Sequence, residues 1–335
     1  MKKNTYNAIR FHKAGSKDVL QYDTLSMPRP TGNEVLIKVN AIGINRAEVM
    51  FREAQYIEQP VFPSTLGYEA AGTIEDIGER VSHYKIGDMV NTIPAFSMGQ
   101  YGVYGEYALV PEAAIIAQPP QFNHIQGAAI WMSYITAYGA LVTYGKLTHG
   151  QSIIITAASS SVGVAAIQLA KALGATVIAT SRDTSKHAFL LAQGADHVIA
   201  TNEQNLVDEV NKVTHNKGAN LIFDPVGGPL LAQLADACAP KAVIIEYGAL
   251  DSHATPYPLF TALAKGLVIK GYTLFEITKH EERLRQASDK LMPLFTSGKL
   301  CPVIDKVFDF EQIHAAHAYM ESNKQQGKIV VSLAQ

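Results

Sequence analysis

One stretch of the sequence, Ser152 to Ser185, has residue types and spacing suited to holding the phosphates of a dinucleotide. A β-branched run without charge is followed by a serine-rich turn, an alanine- and leucine-rich helix and a second apolar strand. The first N–H groups of such a helix attract a phosphate, and serine hydroxyl groups add further donors. Of the three glycines typical of this turn only Gly163 is present, because Ala158 and Ser160 occupy the other two places. The pattern predicts a nucleotide-binding βαβ unit, although a βαβ unit that binds no ligand stays open.

The end of the second strand bears on the identity of the nucleotide. About 20 residues after the turn, an NAD-binding unit carries a carboxylate for the ribose 2′-hydroxyl. This sequence instead has Ser181, Arg182 and, on the following helix, Lys186. A cationic pocket that is poor in carboxylates suits a 2′-phosphate. We therefore predict NADP(H) as the cofactor, with NAD(H) as the alternative because Asp183 lies in the same segment.

The composition is that of an ordinary globular enzyme. The 335 residues suggest two domains, and 47% of them are hydrophobic. With 28 basic and 30 acidic residues and no long run of one sign, we expect neither nucleic acid nor a membrane surface as a partner. Cys238 and Cys301 are too few for a disulfide framework and fit a reducing compartment. No signal peptide or membrane span is evident, so we expect a cytoplasmic protein.

Two kinds of pattern divide the chain. Up to about Pro120, short β-rich pieces separated by proline and glycine favour an antiparallel, barrel-like domain, and Glu34–Ile44 is the longest of these pieces. Beyond a linker at 118–126, strand-like and helical runs alternate, which is typical of a parallel, doubly wound sheet. Ligands of such sheets bind at the carboxyl ends of the strands. The segments expected to converge there are 159–163, Ser181, 224–228 and 247–248.

Several short motifs follow one another in a fixed order along the chain. They include the run from Gly43 to Tyr56, the piece Gly67-Tyr-Glu-Ala-Ala-Gly72, the serine turn, Asp224-Pro-Val-Gly-Gly228 and the ending Gly327-Lys-Ile-Val-Val. Together they resemble the medium-chain dehydrogenase/reductase superfamily, and more narrowly its zinc-free branch of quinone oxidoreductases similar to ζ-crystallin. The resemblance implies an α/β protein with two domains. These are a GroES-like β-rich catalytic domain, 1–125 with 275–335, and a Rossmann NADP(H)-binding domain with a doubly wound parallel sheet, 126–274.

The same resemblance implies roles for individual residues. Asn45 and Tyr56 match catalytic positions beside the nicotinamide and the substrate, where they would hydrogen-bond the acceptor oxygen that gains negative charge. A turn-stabilising role for Asn45 and a loop-packing role for Tyr56 are the alternatives. The positions expected to contact the cofactor are Thr136, Ser159, Ser160, Ser161, Val162, Gly163, Ser181, Arg182, Lys186, Val226, Tyr247 and Gly248.

The sequence lacks the ligands of a zinc site. Metal-dependent relatives hold catalytic zinc with cysteine and histidine, which a tetrahedral zinc ion prefers. The matching positions here hold Asn45, Tyr68 and Met132. The first 237 residues contain no cysteine, and His314 and His317, one helical turn apart, are predicted to lie on a solvated helix face. We therefore predict that the protein binds no metal.

The absence of a Lewis acid restricts the chemistry. Without one to polarise an alcohol or aldehyde oxygen, simple alcohol oxidation is disfavoured. Hydride transfer from NADPH to an acceptor that is already electrophilic, a quinone or an α,β-unsaturated carbonyl compound, is the prediction. An enoyl-thioester reductase and a non-catalytic, crystallin-like NADPH-binding protein are the alternatives.

The run Leu267-Val-Ile-Lys-Gly-Tyr-Thr-Leu274 is predicted to form the edge strand of the nucleotide domain. An exposed apolar edge must be covered or paired. In similar proteins this strand pairs with its twin across a twofold axis, so the resemblance implies a homodimer through residues 267–274.

Overall fold

A computed structural model describes residues 4–333. The chain folds into two compact units. The first unit contains the chain up to Met132 and from Pro302 on, and the second contains Ser133–Cys301. Within residues 4–333, every helix is too short or too polar to cross a lipid bilayer.

The strands are numbered along the chain. They are β1 (Thr5–Phe11), β2 (Leu20–Ser26), β3 (Glu34–Ile44), β4 (Glu69–Ile77), β5 (Met89–Thr92), β6 (Tyr107–Pro111), β7 (Ile115–Ala117), β8 (Ser152–Ile155), β9 (Thr176–Ser181), β10 (His197–Ala200), β11 (Ala219–Asp224), β12 (Cys238–Glu246), β13 (Val268–Gly271), β14 (Ile304–Asp309) and β15 (Lys328–Ser332).

The helices are numbered in the same way. They are α1 (Arg46–Arg52), α2 (Met98–Tyr101), α3 (His124–Gly127), α4 (Trp131–Tyr138), α5 (Ser161–Ala172), α6 (His187–Ala192), α7 (Leu206–Thr214), α8 (Leu230–Asp236), α9 (Leu259–Lys265), α10 (Phe275–Thr278), α11 (Glu281–Thr296) and α12 (Ile313–Glu321).

The first unit is built on a mostly antiparallel sheet with the strand order β14-β15-β3-β4-β5-β7, and β6 also pairs with β3. The long strand β3 pairs with β15, β4 and β6, so most of its residues are buried. Antiparallel pairing of Ile329 with Ile44 brings the start of β15 beside the end of β3. The last strand of the chain thereby lies beside a strand from its first 50 residues.

Helix α12 packs against α1 through a buried polar contact. His317 on α12 is fully buried, and its Nδ1 lies 3.0 Å from Nη1 of Arg52 on α1. Arg52 also pairs with Glu53 and Glu321. Burial and the nearby guanidinium lower the pKa of His317 to about 3, so its neutral ring accepts the hydrogen bond from Arg52. The prediction of a solvated face for His314 and His317 is therefore wrong for His317, because an arginine distant in sequence covers it.

The second unit is a doubly wound, parallel α/β structure, as the alternation of strands and helices predicts. Its sheet has the order β10-β9-β8-β11-β12-β13. The central strands consist of residues with no exposure, such as Ile154 and Ile222, because a parallel sheet is covered on both faces. The strand order reverses between β8 and β11, which is the point where such sheets bind ligands at the carboxyl ends of their strands.

One edge of this sheet carries exposed apolar side chains. β13 is the last strand, and Val268 on it is 53% exposed. On the neighbouring helix α9, Phe260 is 84% and Leu263 is 70% exposed. Large apolar side chains grouped at a sheet edge are typical of a surface that another molecule covers.

The unit boundaries differ from the domain boundaries inferred from the sequence. Residues 126–132 lie in the first unit, and 275–301 lie in the second. The second difference has a packing reason, because the ring of Phe295 on α11 lies 4.9 Å from that of Tyr134 on α4. Helix α11 therefore belongs to the core of the second unit, although the sequence analysis placed it with the C-terminal part of the first.

Candidate active site

Buried polar side chains of the first unit form one connected network. Lys328, at the start of β15, is 1% exposed, and its Nζ lies 2.6 Å from Oδ1 of Asn45 and 2.5 Å from Oε2 of Glu69. The other carboxylate oxygen of Glu69 accepts a hydrogen bond of 3.0 Å from the N–H of Met132. A buried ammonium group destabilises a protein unless it is paired. The pairing of β3 with β15 and β4 brings Asn45 and Glu69 to the ammonium group of Lys328.

Glu48 joins this network from the first turn of α1. It is fully buried, and its carboxylate accepts hydrogen bonds from the N–H of Asn45 at 2.6 Å and the N–H of Tyr68 at 3.2 Å. Asn45 and Glu48 form a capping box that starts the helix. Burial raises the pKa of Glu48 to about 7, although Lys328 and the hydrogen bonds lower it. This buried carboxyl group therefore changes its protonation near neutral pH.

The network also occupies the side chain of Asn45. Its Oδ1 accepts from Lys328, and its Nδ2 donates to the carbonyl oxygen of Gly43 at 3.2 Å and to Glu48 at 3.3 Å. Only 6% of Asn45 is exposed. These contacts describe a turn-stabilising residue, and the contact of Asn45 with an acceptor stays a prediction.

Tyr56 lies in the loop after α1, next to Tyr68. The two ring centroids are 6.5 Å apart, and the Tyr68 ring is 5.7 Å from that of Phe96. Burial raises the pKa of Tyr56 above its usual value, and the nearby Glu48 raises it further. Tyr56 therefore keeps its proton at neutral pH and can donate a hydrogen bond to an oxyanion. Its contact with a substrate stays a prediction.

The donor set of this network does not fit a zinc ion. Among the described residues, no group of three or more His, Cys, Asp or Glu side chains could hold a metal. Asn45 and Glu69 already bind the ammonium group of Lys328, and a metal cation placed there would be repelled by it. Tyr68 is buried among aromatic rings, and Met132 contributes its N–H rather than a side-chain ligand.

The serine turn of the second unit leads into the N-terminus of α5, as predicted. Ser160 is the N-cap residue, and its Oγ accepts the N–H of Gly163 at 3.0 Å. The N–H groups of Ser161 and Val162 belong to the first turn, where the helix offers donors to an anion. A Cβ on Gly163 would lie 2.5 Å from the carbonyl oxygen of Ala158, so the helix can approach the turn this closely only with glycine.

A positively charged side chain, that of Lys186, lies beside this turn. Lys186 donates a hydrogen bond of 2.9 Å from its Nζ to Oγ of Ser159. Ser181 ends β9 with its hydroxyl donating to the carbonyl oxygen of Asp183, and the side chain of Arg182 is exposed. The carboxylate of Asp183 accepts from the N–H and the hydroxyl of Ser185, and these bonds lower its pKa. Lys186 thus lies next to the predicted phosphate-binding turn. The Asp183 carboxylate instead hydrogen-bonds to Ser185, two residues further along the chain.

The carboxyl ends of β11 and β12 carry a pair of acidic side chains. Asp224 is fully buried and accepts hydrogen bonds from the hydroxyl of Thr156 and the N–H groups of Val226 and Gly227. Glu246 is its partner in the strand register. Burial and the nearby charge of Asp224 raise the pKa of Glu246 to about 8. The hydrogen bonds that Asp224 accepts from Val226 and Gly227 fix the loop that follows β11.

The remaining predicted cofactor residues lie around the same edge of the sheet or on α4. Tyr247 follows β12, and its ring stacks on Phe223 with centroids 4.0 Å apart. Val226 is in the loop held by Asp224, and Gly248 is exposed after Tyr247. Thr136 is buried within α4. Their contacts with a cofactor stay predictions.

The sequence analysis assigned no role to the charged residues of the buried network. Glu48, Glu69 and Lys328 are each 1% exposed or less. The sequence pattern also predicts no role for Glu246, which ends a predicted strand. One signal was present, since Lys328 opens an apolar final strand in the Gly-Lys-Ile-Val-Val ending. A lysine at such a position needs a buried anionic partner.

Family models match both units. The model of the alcohol dehydrogenase GroES-like domain matches residues 31–120, and that of the zinc-binding dehydrogenase matches residues 161–292. Together with the two folds, these matches define an oxidoreductase that combines a GroES-like domain with a Rossmann-like parallel sheet. The α/β fold class expected from the sequence is thereby confirmed.

Individual relatives narrow this class. The chain is 32% identical to the quinone oxidoreductase of Sus scrofa, over 98% of each protein. It is also similar to the crystal structure of the Escherichia coli quinone oxidoreductase complexed with NADPH, with a TM-score of 0.89, 28% identity and coverage of 97% and 99% of the two chains. For the CurK enoyl reductase the TM-score is 0.88, with 25% identity and coverage of 99% and 100%. The chain belongs to the medium-chain dehydrogenase/reductase superfamily, in its quinone oxidoreductase branch.

Glu246→Gln should change the pH dependence of stability, because it removes a titrating carboxyl group with little change of size. A group whose pKa is raised by folding contributes stability below its unfolded pKa, and this contribution is lost as the pH rises through the folded value of about 8. We expect the variant and the wild type to unfold alike at about pH 4.5 and the variant to be more stable by about 1–2 kcal/mol at about pH 9, after allowance for partial exposure. Denaturant unfolding at both pH values measures the difference. Glu75→Gln, at an exposed position, is the control, and a Glu246→Gln effect that is equal at both pH values would contradict the prediction.

Proposed function

We propose that the protein transfers hydride from NADPH to a quinone or an α,β-unsaturated carbonyl compound without a metal ion. The observation that carries this proposal is the buried network of Lys328, Asn45, Glu69 and Glu48. The ammonium group of Lys328 lies beside Asn45, one of the positions where, by the resemblance, metal-dependent relatives hold zinc. Without a Lewis acid, the acceptor must be electrophilic by itself, as quinones and conjugated carbonyl compounds are.

The residues of the second unit fit a nicotinamide dinucleotide with a 2′-phosphate. The N-terminus of α5 offers donors to the pyrophosphate, and Lys186 adds a positive charge beside it. Arg182 and Lys186 would bind the 2′-phosphate, while hydrogen bonds from Ser185 hold the Asp183 carboxylate within its own turn. When bound there, NADPH would supply the hydride. The NADPH complex of the similar Escherichia coli enzyme supports this choice.

The chain itself then has to stabilise the charge that develops on the acceptor oxygen. Tyr56 is suited to this task because its raised pKa keeps the hydroxyl group protonated, so it donates a hydrogen bond instead of losing its proton. The proton that completes the product comes from water. Ile57 is 68% and Val61 is 83% exposed in the segment after Tyr56, which favours an acceptor with an apolar body.

An enoyl-thioester reductase is the second candidate. The similarity to the CurK enoyl reductase favours it, and the same hydroxyl of Tyr56 would bind the thioester oxygen. Oxidation of NADPH in the presence of 1,4-benzoquinone, 9,10-phenanthrenequinone, 2-alkenals and crotonyl thioesters distinguishes the two candidates. A protein that binds NADPH and reduces none of these acceptors would refute both.

Tyr56→Phe should lower kcat by about 100-fold on the best acceptor, because it removes one donor to the developing oxyanion. The affinity for NADPH, measured by cofactor fluorescence, should stay unchanged. Tyr84→Phe is the matched control, since the Tyr84 hydroxyl donates to the carbonyl oxygen of Ile115. A Tyr56→Phe variant with the kcat of the wild type would rule out the assignment.

Lys186→Ala and Arg182→Ala should each weaken NADPH binding by about tenfold and NADH binding much less, because only NADPH carries the 2′-phosphate. Titration of both nucleotides measures the ratio. Lys212→Ala, which removes an exposed lysine paired with Glu209, controls for the loss of surface charge. Equal losses for NADPH and NADH would refute the proposed preference.

We further propose a homodimer in which two copies pair through residues 267–274 and the adjacent α9. β13 ends the sheet, and Phe260 and Leu263 are exposed beside it. Sedimentation should give the mass of two chains, and the double variant Phe260→Glu with Leu263→Glu should give the mass of one chain. Leu191→Glu, which alters an exposed leucine on α6, should leave the dimer intact. A wild type that sediments as one chain would refute the dimer.

A further inference from the structure

The segment that carries Tyr56 is attached to the first unit at both of its ends. It begins directly after α1. At its other end Ser64 pairs with Phe11 of β1, and the N–H of each donates to the carbonyl oxygen of the other at 2.9 and 3.0 Å. The ring of Phe62 lies 5.6 Å from that of Phe11. Residues 53–63, which we call the Tyr56 loop, therefore run between two fixed points.

Glu58 attaches the middle of the Tyr56 loop to α2. Its Oε1 accepts a hydrogen bond from the hydroxyl of Ser97, the N-cap residue of α2, and another from the N–H of Gly99 at 3.4 Å. A Cβ on Gly99 would lie 3.2 Å from the same oxygen, so glycine at this position leaves room for the carboxylate. Hydrogen bonds to an ionised acceptor are stronger than those between neutral groups. Glu58 thus joins the loop to a helix whose N-cap residue lies 39 positions further along the chain.

Further hydrogen bonds fix the partners of Glu58. While the hydroxyl of Ser97 donates to Glu58, it accepts the N–H of Gln100 at 3.3 Å. Hydrogen bonds in such a chain strengthen one another. Just beyond the loop, Thr65 donates its hydroxyl to two carbonyl oxygens of α2, at 3.0 and 3.2 Å. Helix α2 therefore bonds both to the middle of the Tyr56 loop and to the residues that follow it.

The contact of Glu58 with α2 also bears on the position of Tyr56. The two residues are two positions apart, and Nε2 of Gln59 donates to the carbonyl oxygen of Tyr56 at 3.1 Å, which closes the turn between them. The ring of Tyr56 lies 6.5 Å from that of Tyr68. Because this turn is short and closed, a displacement of Glu58 moves the backbone of Tyr56 and changes where its hydroxyl group lies.

We infer that Glu58 is a positioning residue, which holds the Tyr56 loop against α2 and so keeps the Tyr56 hydroxyl group within reach of the acceptor oxygen. This inference rests on the proposed function, in which Tyr56 binds the oxygen that gains charge. Glu58 acts through Tyr56 alone, and it transfers no proton. Without the contact, the loop populates further positions, and only the fraction of molecules with Tyr56 in place is competent for the reaction.

Glu58→Ala tests this role because it removes the acceptor of both hydrogen bonds. We expect kcat on the best acceptor to fall about three- to tenfold, the effect of one hydrogen bond, with an unchanged Kd for NADPH. Glu58→Gln should restore most of kcat, because its side-chain oxygen can still accept from Ser97. Gln55→Ala, which shortens an exposed side chain of the same loop, is the control and should have the kcat of the wild type. In a Tyr56→Phe background, Glu58→Ala should cause no further loss.

Hydrogen exchange measures the attachment of the loop without turnover. In the full-length protein, the backbone N–H groups of residues 53–63 should exchange faster in Glu58→Ala than in the wild type, because local opening then costs less free energy. Ser97→Ala removes the donor of the same bond and should have a similar effect, and the double variant should exchange no faster than the single variants. Gln55→Ala should exchange like the wild type.

The outcomes separate the positioning role from the proposed function. If Tyr56→Phe lowers kcat while Glu58→Ala has the kcat of the wild type, the positioning role is overturned and the proposed function stands. The role is also overturned if the loop exchanges equally fast in Glu58→Ala and the wild type, or if Glu58→Ala lowers kcat as much in the Tyr56→Phe background as alone. If the wild type reduces no acceptor, the proposed function fails, and the positioning role fails with it.

Discussion

The buried ammonium group of Lys328 is the constraint on which the first unit depends. An unpaired charge in such a place would cost several kcal/mol, so the fold has to supply Glu69 and Asn45 as partners. Lys328 and its two partners belong to or directly follow three adjacent strands, β15, β4 and β3, and the pairing of these strands holds β15 against β3. Asn45 and Glu48 in turn start α1, which leads to the loop of Tyr56. One ion pair thus connects the sheet with the segment that carries the candidate catalytic hydroxyl.

The same network is the reason for proposing a reaction without zinc. Its cation is covalently part of the chain and is surrounded by protein, so it cannot coordinate a substrate oxygen. In the proposed function, charge that develops on the acceptor oxygen is therefore stabilised by neutral hydrogen-bond donors. Tyr56 is such a donor, because burial and Glu48 favour its protonated form.

The fold could be predicted from the sequence largely because its signals are local. The alternation in Glu34–Ile44 gives β3 with the same bounds, and the β-branched run before the serine turn gives β8. Burial of charge could not be predicted in this way, since residue type alone assigns charged and histidine side chains to solvent. His317 and Arg52 are 265 positions apart, and only the packing of α12 on α1 shows that they meet.

The candidate sites of the two units differ in the same respect. The predicted nucleotide-binding turn is one continuous segment, Ser159–Gly163, and its helix N-terminus offers backbone N–H groups although two of the three typical glycines are absent. The acceptor side is assembled from segments that are distant in sequence, and Lys328 lies 283 positions from Asn45. A motif can therefore identify the first part, whereas the second depends on strand pairing. A change in acceptor preference can accordingly arise at Glu48 or Tyr68 while every residue of the nucleotide motif stays the same.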